Sequence, residues 1–415
     1  MFIPWEKFSN IPFFSCFKGF FTDKKIKQNV DYISKNKAIV LKKLKEKKHF
    51  KVVFYVYDLT KWKCQKIYDL MEEDERFSPL VVVTKNSVTS FSNPSFQTKK
   101  EIEDTYNYFK NKNMNVKLGY DFEKQRHIPF EKFSCDIIIY QHPWYVETSQ
   151  GPVVCSKFAL TYYIPYDIPT TDLEIDYGLR FHSYIENFVV FNNEIKETFQ
   201  SKMKNKGENL LPLGQPSCDY IKSNKIGDYV IYAPHWTINH EKTIAYSTFK
   251  ENGKFILDYA KKHPEFSWVF KPHPMLKKAI LDNNFMTKGE VEKYYSDWEK
   301  LALASYDCNY YEIFNNSQLM ITDCSTFLVE YFLTGKPLLQ LLPEKEPSFN
   351  NFVKRITKNY YKITNNDELE KRLNEILINN EDTMKQSRLE ALKKFDFVKN
   401  SSKCFIQNII NTIED

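Results

Sequence analysis

At 415 residues the chain is longer than one ordinary core serves, so two domains of about 200 residues each are expected. Its 42% hydrophobic and 27% charged residues, with 34 Phe and 27 Tyr, exclude a largely disordered chain. The net charge of +6 suits an anionic substrate or an anionic membrane surface. With no arginine-rich stripe, nucleic acid is not an expected partner.

The eight cysteines are scattered and form no C-x-x-C, as reduced thiols in a cytoplasm do. No run approaches the roughly 18 apolar residues of a spanning helix. No export signal opens the sequence either, so a cytoplasmic protein is expected. Only ten glycines and no G-x-G-x-x-G argue against a dinucleotide dehydrogenase.

Residues 1–48 form the first segment, an aromatic stretch (Phe2, Trp5, Phe8, Phe13, Phe14, Phe17, Phe20, Phe21) followed by a lysine-rich helix. Such a pair suits peripheral contact with an anionic inner-leaflet surface. A packed helix with a solvated lysine face is the plainer alternative. From Lys51 the pattern alternates strand (52–57), helix (62–73), strand (80–84), helix (99–112) and strands (116–118, 136–140). A strand at 188–191, a helix at 194–203 and an extended stretch at 209–213 follow. The polar stretch 223–228 reads as a linker between a first domain at 49–222 and a second at 229–395. The second repeats the alternation: strand 229–233, helix 255–262, strand 268–271, helix 290–303. A C-terminal helix covers 396–415. Repeated β-α units predict α/β architecture, two doubly wound parallel sheets facing a cleft. Chemistry then belongs on loops at the carboxyl ends of strands.

Three such loops stand out. Gln141-His142-Pro143 leaves the strand 136–140, and a histidine there titrates near neutrality and takes a proton from an alcohol, or merely hydrogen-bonds the strand end. Lys271-Pro272-His273-Pro274 leaves the strand 268–271; two prolines fix His273, which once protonated donates to a phosphate oxygen, with Lys271 and Lys277 adding charge. The third is Thr322-Asp323-Cys324-Ser325-Thr326, between a strand at 319–321 and a helix. Ser325 and Thr326 offer hydroxyls and N–H groups to a diphosphate. Asp323 orients a donor or caps the helix. Glu330, about one turn further in, accepts from ribose hydroxyls or forms a surface ion pair. The loop Pro234-His235-Trp236 is a weaker candidate. No metal-ligand spacing appears, and Asp172, Glu174 and Asp176 read as a solvated loop, so no metal or other cofactor is expected.

In order and rough spacing, Tyr140-Gln141-His142, Ile231-Tyr232-Ala233-Pro234, Lys271-Pro272-His273-Pro274 and Thr322–Thr326 with Glu330 and Lys336-Pro337 resemble the CDP-glycerol glycerophosphotransferase family. The resemblance covers roughly residues 135–345. Leu213-Gly214-Gln215-Pro216-Ser217-Cys218-Asp219 looks like that family's G-N-P-R-x-D segment. The resemblance implies a GT-B fold, a CDP-activated polyol phosphate donor in the second domain and metal-independent transfer. His142 would match the family's base, His273 its His-Pro histidine at the donor phosphates, and Ser325 with Thr326 its Ser-Ser pair. The chain departs from the family at Pro143 for glycine, Cys324 for tyrosine, Thr326 for serine and Glu330 for aspartate.

The expected function is transfer of glycerol phosphate, or a related polyol phosphate, from a CDP donor to a hydroxyl of a glycan or lipid-linked acceptor. Capsule, teichoic-acid or lipopolysaccharide synthesis is the setting. The alternatives are a GT-B glycosyltransferase using a sugar nucleotide and a catalytically silent scaffold of a polymer-assembly complex. A sugar-nucleotide 2-epimerase fits less well, for lack of an acidic pair.

Overall fold

The computed structural model describes residues 23–86, 97–144, 146–222, 227–238, 245–304, 310–345 and 347–415. The aromatic segment 1–21 and residues 223–226 of the expected linker lie outside them. The described residues divide into two compact units. Of these residues the first takes in 23–168, 173–219 and 396–415, and the second 169–172 and 220–395.

The first unit is built on a seven-stranded parallel sheet: β1 (Phe50–Val56), β2 (Phe77–Val83), β3 (Val116–Leu118), β4 (Ile137–Tyr140), β5 (Leu160–Tyr163), β6 (Asn187–Val189) and β7 (Leu210–Leu211). Their order is β3-β2-β1-β4-β5-β6-β7. β4 reads IIIY and is buried throughout, and β1 is buried except at Lys51. Such continuous apolar runs suit a sheet covered on both faces. Helices α1 (Asp23–Leu44), α2 (Gln65–Glu72) and α3 (Lys99–Asn111) contribute to its core, among them Val40, Ile67 and Phe109.

The second unit has six parallel strands: β8 (Tyr229–Ala233), β9 (Ser267–Phe270), β10 (Leu303–Ala304), β11 (Ser317–Thr322), β12 (Leu338–Leu341) and β13 (Tyr361–Ile363), in the order β10-β9-β8-β11-β12-β13. Helix α4 (Phe249–Lys262) packs beside this sheet, and α5 (Ser325–Phe332) follows β11 directly. Just past α5, Gly335 stands at φ +72°. That left-handed conformation costs glycine little and closes the helix end before β12.

Both sheets are doubly wound. The chain runs outward through three strands, then returns to the other side of the first, so the strand order, though not the strand direction, reverses between β1 and β4 and again between β8 and β11. Crevices at the carboxyl ends of such pairs are where open α/β sheets bind ligands.

The C-terminal helix α6 (Ser401–Glu414) belongs to the first unit. Phe405 and Ile409 enter the first core, with the Phe405 ring 5.2 Å from Tyr162. The backbone N–H groups of Ser401 and Ser402 donate to the two carboxylate oxygens of Asp219, each at 2.8 Å. Gly214, at φ +85°, lies so close that a Cβ there would meet Ser401 Oγ at 2.2 Å. The Gly214–Asp219 segment therefore clasps the last helix.

Candidate active site

His142 leaves β4 beside the switch between β1 and β4. Tyr55 of β1 and Tyr57 just beyond it enclose its ring at 5.2 and 3.9 Å between centroids. The residue is 1% exposed. Nδ1 lies 2.8 Å from the carbonyl oxygen of Trp144. A carbonyl only accepts, so Nδ1 carries the proton and Nε2 presents its lone pair. Burial holds the ring well below the ordinary histidine range, and nearby Lys61 pushes the same way. The sequence leads one to expect titration near neutrality; the tyrosine-walled setting instead keeps His142 uncharged there.

Among the described residues, four buried polar atoms at or around this ring have no hydrogen-bond partner: His142 Nε2, Gln141 Nε2, Trp144 Nε1 and Tyr55 OH. Orphans this concentrated are unusual in a folded core and make this loop a candidate ligand site. Gln141 is held by its other end, Oε1 accepting from Lys63 N at 2.7 Å. Lys61, which sequence reading passed over, places Nζ 3.9 Å from the Tyr166 ring centroid.

In the second unit the loops after β8, β9 and β11 lie side by side because these strands are adjacent. His273 N donates to Pro234 O at 3.0 Å, which ties the β9 loop to the β8 loop. His273 Nδ1 accepts from Met275 N at 3.1 Å, so its proton sits on Nε2. The His235 and His273 rings are 5.2 Å apart. Lys271 is buried, its Nζ 5.5 Å from the Tyr310 ring centroid.

Asp323 neither caps α5 nor stands free to orient a donor. Oδ1 accepts from His235 N at 2.6 Å, while Oδ2 accepts from Thr248 N at 2.7 Å and Thr248 Oγ1 at 3.0 Å. Burial pushes its pKa up to about 6 against the pull of these bonds. It is a brace for two loops. The first residues of α5, Ser325 (buried) and Thr326 (half-buried), follow Cys324, which makes no side-chain cap. Glu330 is 1% exposed, not a surface ion pair, and Oε2 accepts from Tyr310 OH at 2.7 Å.

The fold thus gathers Pro234, His235, Lys271, His273, Asp323, Ser325, Thr326 and Glu330 in the second unit, and Gln141 with His142 in the first. Sequence reading missed Tyr57, Thr248 and Tyr310. Ser247-Thr248 ahead of an amphipathic run is a helix-start signal that would have found Thr248; Tyr57 and Tyr310 carry no such mark. Among the described residues, no group of three or more His, Cys, Asp or Glu is placed to hold a metal ion.

Two doubly wound units with strand-end loops of this kind define a GT-B fold, and solved structures agree. The wall teichoic acid polymerase TagF superposes with a TM-score of 0.57 at 15% identity, over 88% of each chain. UDP-GlcNAc 2-epimerase from Neisseria meningitidis, bound to UDP-GlcNAc, superposes with a TM-score of 0.55 at 12% identity, over 87% of this chain and 99% of that one. Residues 174–413 match the family model described as CDP-Glycerol:Poly(glycerophosphate) glycerophosphotransferase, and the chain belongs to that family. The minor teichoic acid biosynthesis protein GgaB of Bacillus subtilis (strain 168) is 25% identical over 197 residues, which take in 42% of this chain. The match spans 20% of that longer protein.

Proposed function

We propose that the protein transfers glycerol phosphate, or a related polyol phosphate, from a CDP-activated donor to a hydroxyl of a glycan or lipid-linked acceptor in cell-envelope polymer synthesis. The observation that carries this reading is the convergence of three adjacent strand-end loops in a member of this family. They carry His273, Lys271, Ser325 and Thr326 on neighbouring strand ends, an arrangement that suits an anionic donor. His273 donates from Nε2 to a phosphate oxygen, and Lys271 with the start of α5 offsets the diphosphate charge. Glu330, already engaged by Tyr310, completes the ribose end.

In the transfer the acceptor oxygen bonds to the phosphorus that carries glycerol. The bond from that phosphorus to the bridging oxygen breaks, and CMP departs with the bridging oxygen. His142 Nε2 takes the acceptor's proton. Its lone pair is available because Nδ1 carries the ring's own proton. Gln141 holds the loop that presents it.

The setting proposed is the cytoplasmic face of a membrane. No described helix is long and apolar enough to cross one. Helix α1 does present Lys27, Lys35, Lys42 and Lys43 with the exposed Tyr32 and Ile39. That combination suits an anionic leaflet.

The test is incubation with CDP-glycerol and with UDP-, GDP- and CMP-sugars, with acceptor glycans, followed by mass spectrometry of both products. Release of CMP with gain of a glycerol phosphate mass on the acceptor is expected. Release of UDP or GDP alone would replace this reading with a glycosyltransferase.

A further inference from the structure

Resting on the reading of the second unit as the donor site, we propose that His235 is a direct ligand of the donor diphosphate, paired with His273 as a second imidazole N–H donor. His235 follows β8, the strand between those that lead to His273 and to Ser325. Its backbone N–H is fixed by Asp323 Oδ1 at 2.6 Å, two residues before the start of α5. The side chain is buried, with the ring edge-on to Tyr246 at 5.3 Å and beside His273 at 5.2 Å.

Hydrogen-bond bookkeeping decides where its proton lies. Thr237 Oγ1 accepts from Tyr246 N at 3.0 Å and stands 2.8 Å from His235 Nδ1. The hydroxyl proton is therefore free to point at Nδ1. Thr237 N also points at Nδ1, at 3.4 Å. With a hydroxyl and an amide both donating to it, Nδ1 has no hydrogen, and Nε2 carries the ring's proton. Burial pushes the ring's pKa down to about 3, so this uncharged form persists across the working range.

Two imidazoles at neighbouring strand ends are thus preset as Nε2–H donors before any ligand arrives. Preset donors lose little freedom on binding, which makes them suited to the oxygens of a diphosphate. A pair of rings meant only for packing would not need Nδ1 satisfied in the same sense on both, one by Met275 N and the other by Thr237.

The experiment compares CDP, CMP and cytidine binding by calorimetry for the intact protein and its His235→Ala, His235→Gln and His235→Asn variants, with thermal melts alongside. Gln places an amide N–H near the position of Nε2; Asn places one near Nδ1. For CDP, Ala and Asn are expected to lose about tenfold or more in affinity, as removal of a hydrogen bond to a charged group does. Gln is expected to stay within about threefold of the parent on the same grounds. Cytidine binding is expected to be unchanged in every folded variant. If the parent binds CDP and His235→Ala binds it equally well, the inference is overturned while the donor-site reading stands. Equal losses for CDP and cytidine, or a Gln variant as weak as Asn, would also overturn it by making His235 merely structural. Failure of the parent to bind CDP would sink both readings.

Discussion

The histidine of the first unit and those of the second occupy equivalent places, loops at the carboxyl ends of strands beside a switch point, yet their neighbours assign opposite roles. In the first unit Nδ1 of His142 faces a carbonyl, so Nε2 is left to accept. In the second unit Nδ1 of His273 faces an amide, so Nε2 is left to donate. One backbone atom in each loop sets whether an imidazole can serve as base or as anion ligand. Their surroundings differ in the same direction. The His142 loop collects polar atoms without partners, whereas the second unit's loops are tied together by Asp323 and by His273 N. On the proposed reading, the first loop suits an incoming hydroxyl and the second set of loops a charged donor.

The largest effects should come from that contrast. His142→Ala is expected to lower kcat by about 10²–10⁴-fold, the usual worth of an acid–base group, with little change in the donor KM. Because its pKa lies below the ordinary range, the base form persists as pH rises. Log(kcat/KM) should then show no inflection from His142 between pH 6 and 8. His273→Ala should lower kcat by about 10²-fold and raise the donor KM as well. If the two variants gave the same kinetic signature, the division into base and donor ligand would be wrong.

A smaller effect tests the brace. Asp323→Asn turns an amide NH₂ towards either His235 N or Thr248 N, and the clash of donors should cost about 1–3 kcal/mol of stability. Thermal unfolding, with a CDP titration showing weaker binding, is the measurement; an Asn variant matching the parent in both would remove Asp323 from the site's support.

A buried carboxylate of the first unit offers a comparison of the same kind. Glu186 Oε2 accepts from Thr161 N and Oγ1, but Oε1 has no partner. Burial raises its pKa to about 7 from an ordinary 4.5. A raised folded value means that the native state holds the proton more tightly. Its contribution to stability is complete below pH 4.5 and is lost as pH rises through 7. Glu186→Gln should therefore flatten that slope, and at pH 8 exceed the parent by on the order of 1–3 kcal/mol. Melts from pH 4.5 to 8.5 would expose the idea as wrong if both proteins followed parallel curves. The least change is expected of Asp219→Ala, about 1 kcal/mol for a lost helix cap, read as a lower melting temperature with donor binding intact.

Much of the fold was legible because buried parallel strands announce themselves as apolar runs, as with IIIY in β4. β5 escaped notice: Leu160–Tyr163 holds a threonine, and Pro165 stands two residues past its end. Helix α4 begins at Phe249, six residues before the expected start at 255, and takes in Gly253, a residue unfavourable in a helix interior. In the structure that glycine allows close packing, since a Cβ there would lie 2.8 Å from the Phe249 ring.

The site was legible in position and not in detail. Strand–Gln-His-Pro, strand–Lys-Pro-His-Pro and strand–Ser-Thr mark the loops from local sequence alone. What Asp323 does depends on His235 and Thr248, 88 and 75 residues away, and no local pattern encodes that. The histidine tautomers, the orphan atoms around His142 and the burial of Glu330 likewise exist only once distant strands are neighbours.

The clasp of Asp219 on α6 also bears on how the chain matures at the ribosome. Residues 396–415 complete the first unit's core, yet they emerge after the whole of Tyr220–Phe395. Synthesis usually lets N-terminal domains fold first. Here the second unit can finish while the first still lacks a helix, so a nascent chain completes the unit that holds His273 before the unit that holds His142 is closed.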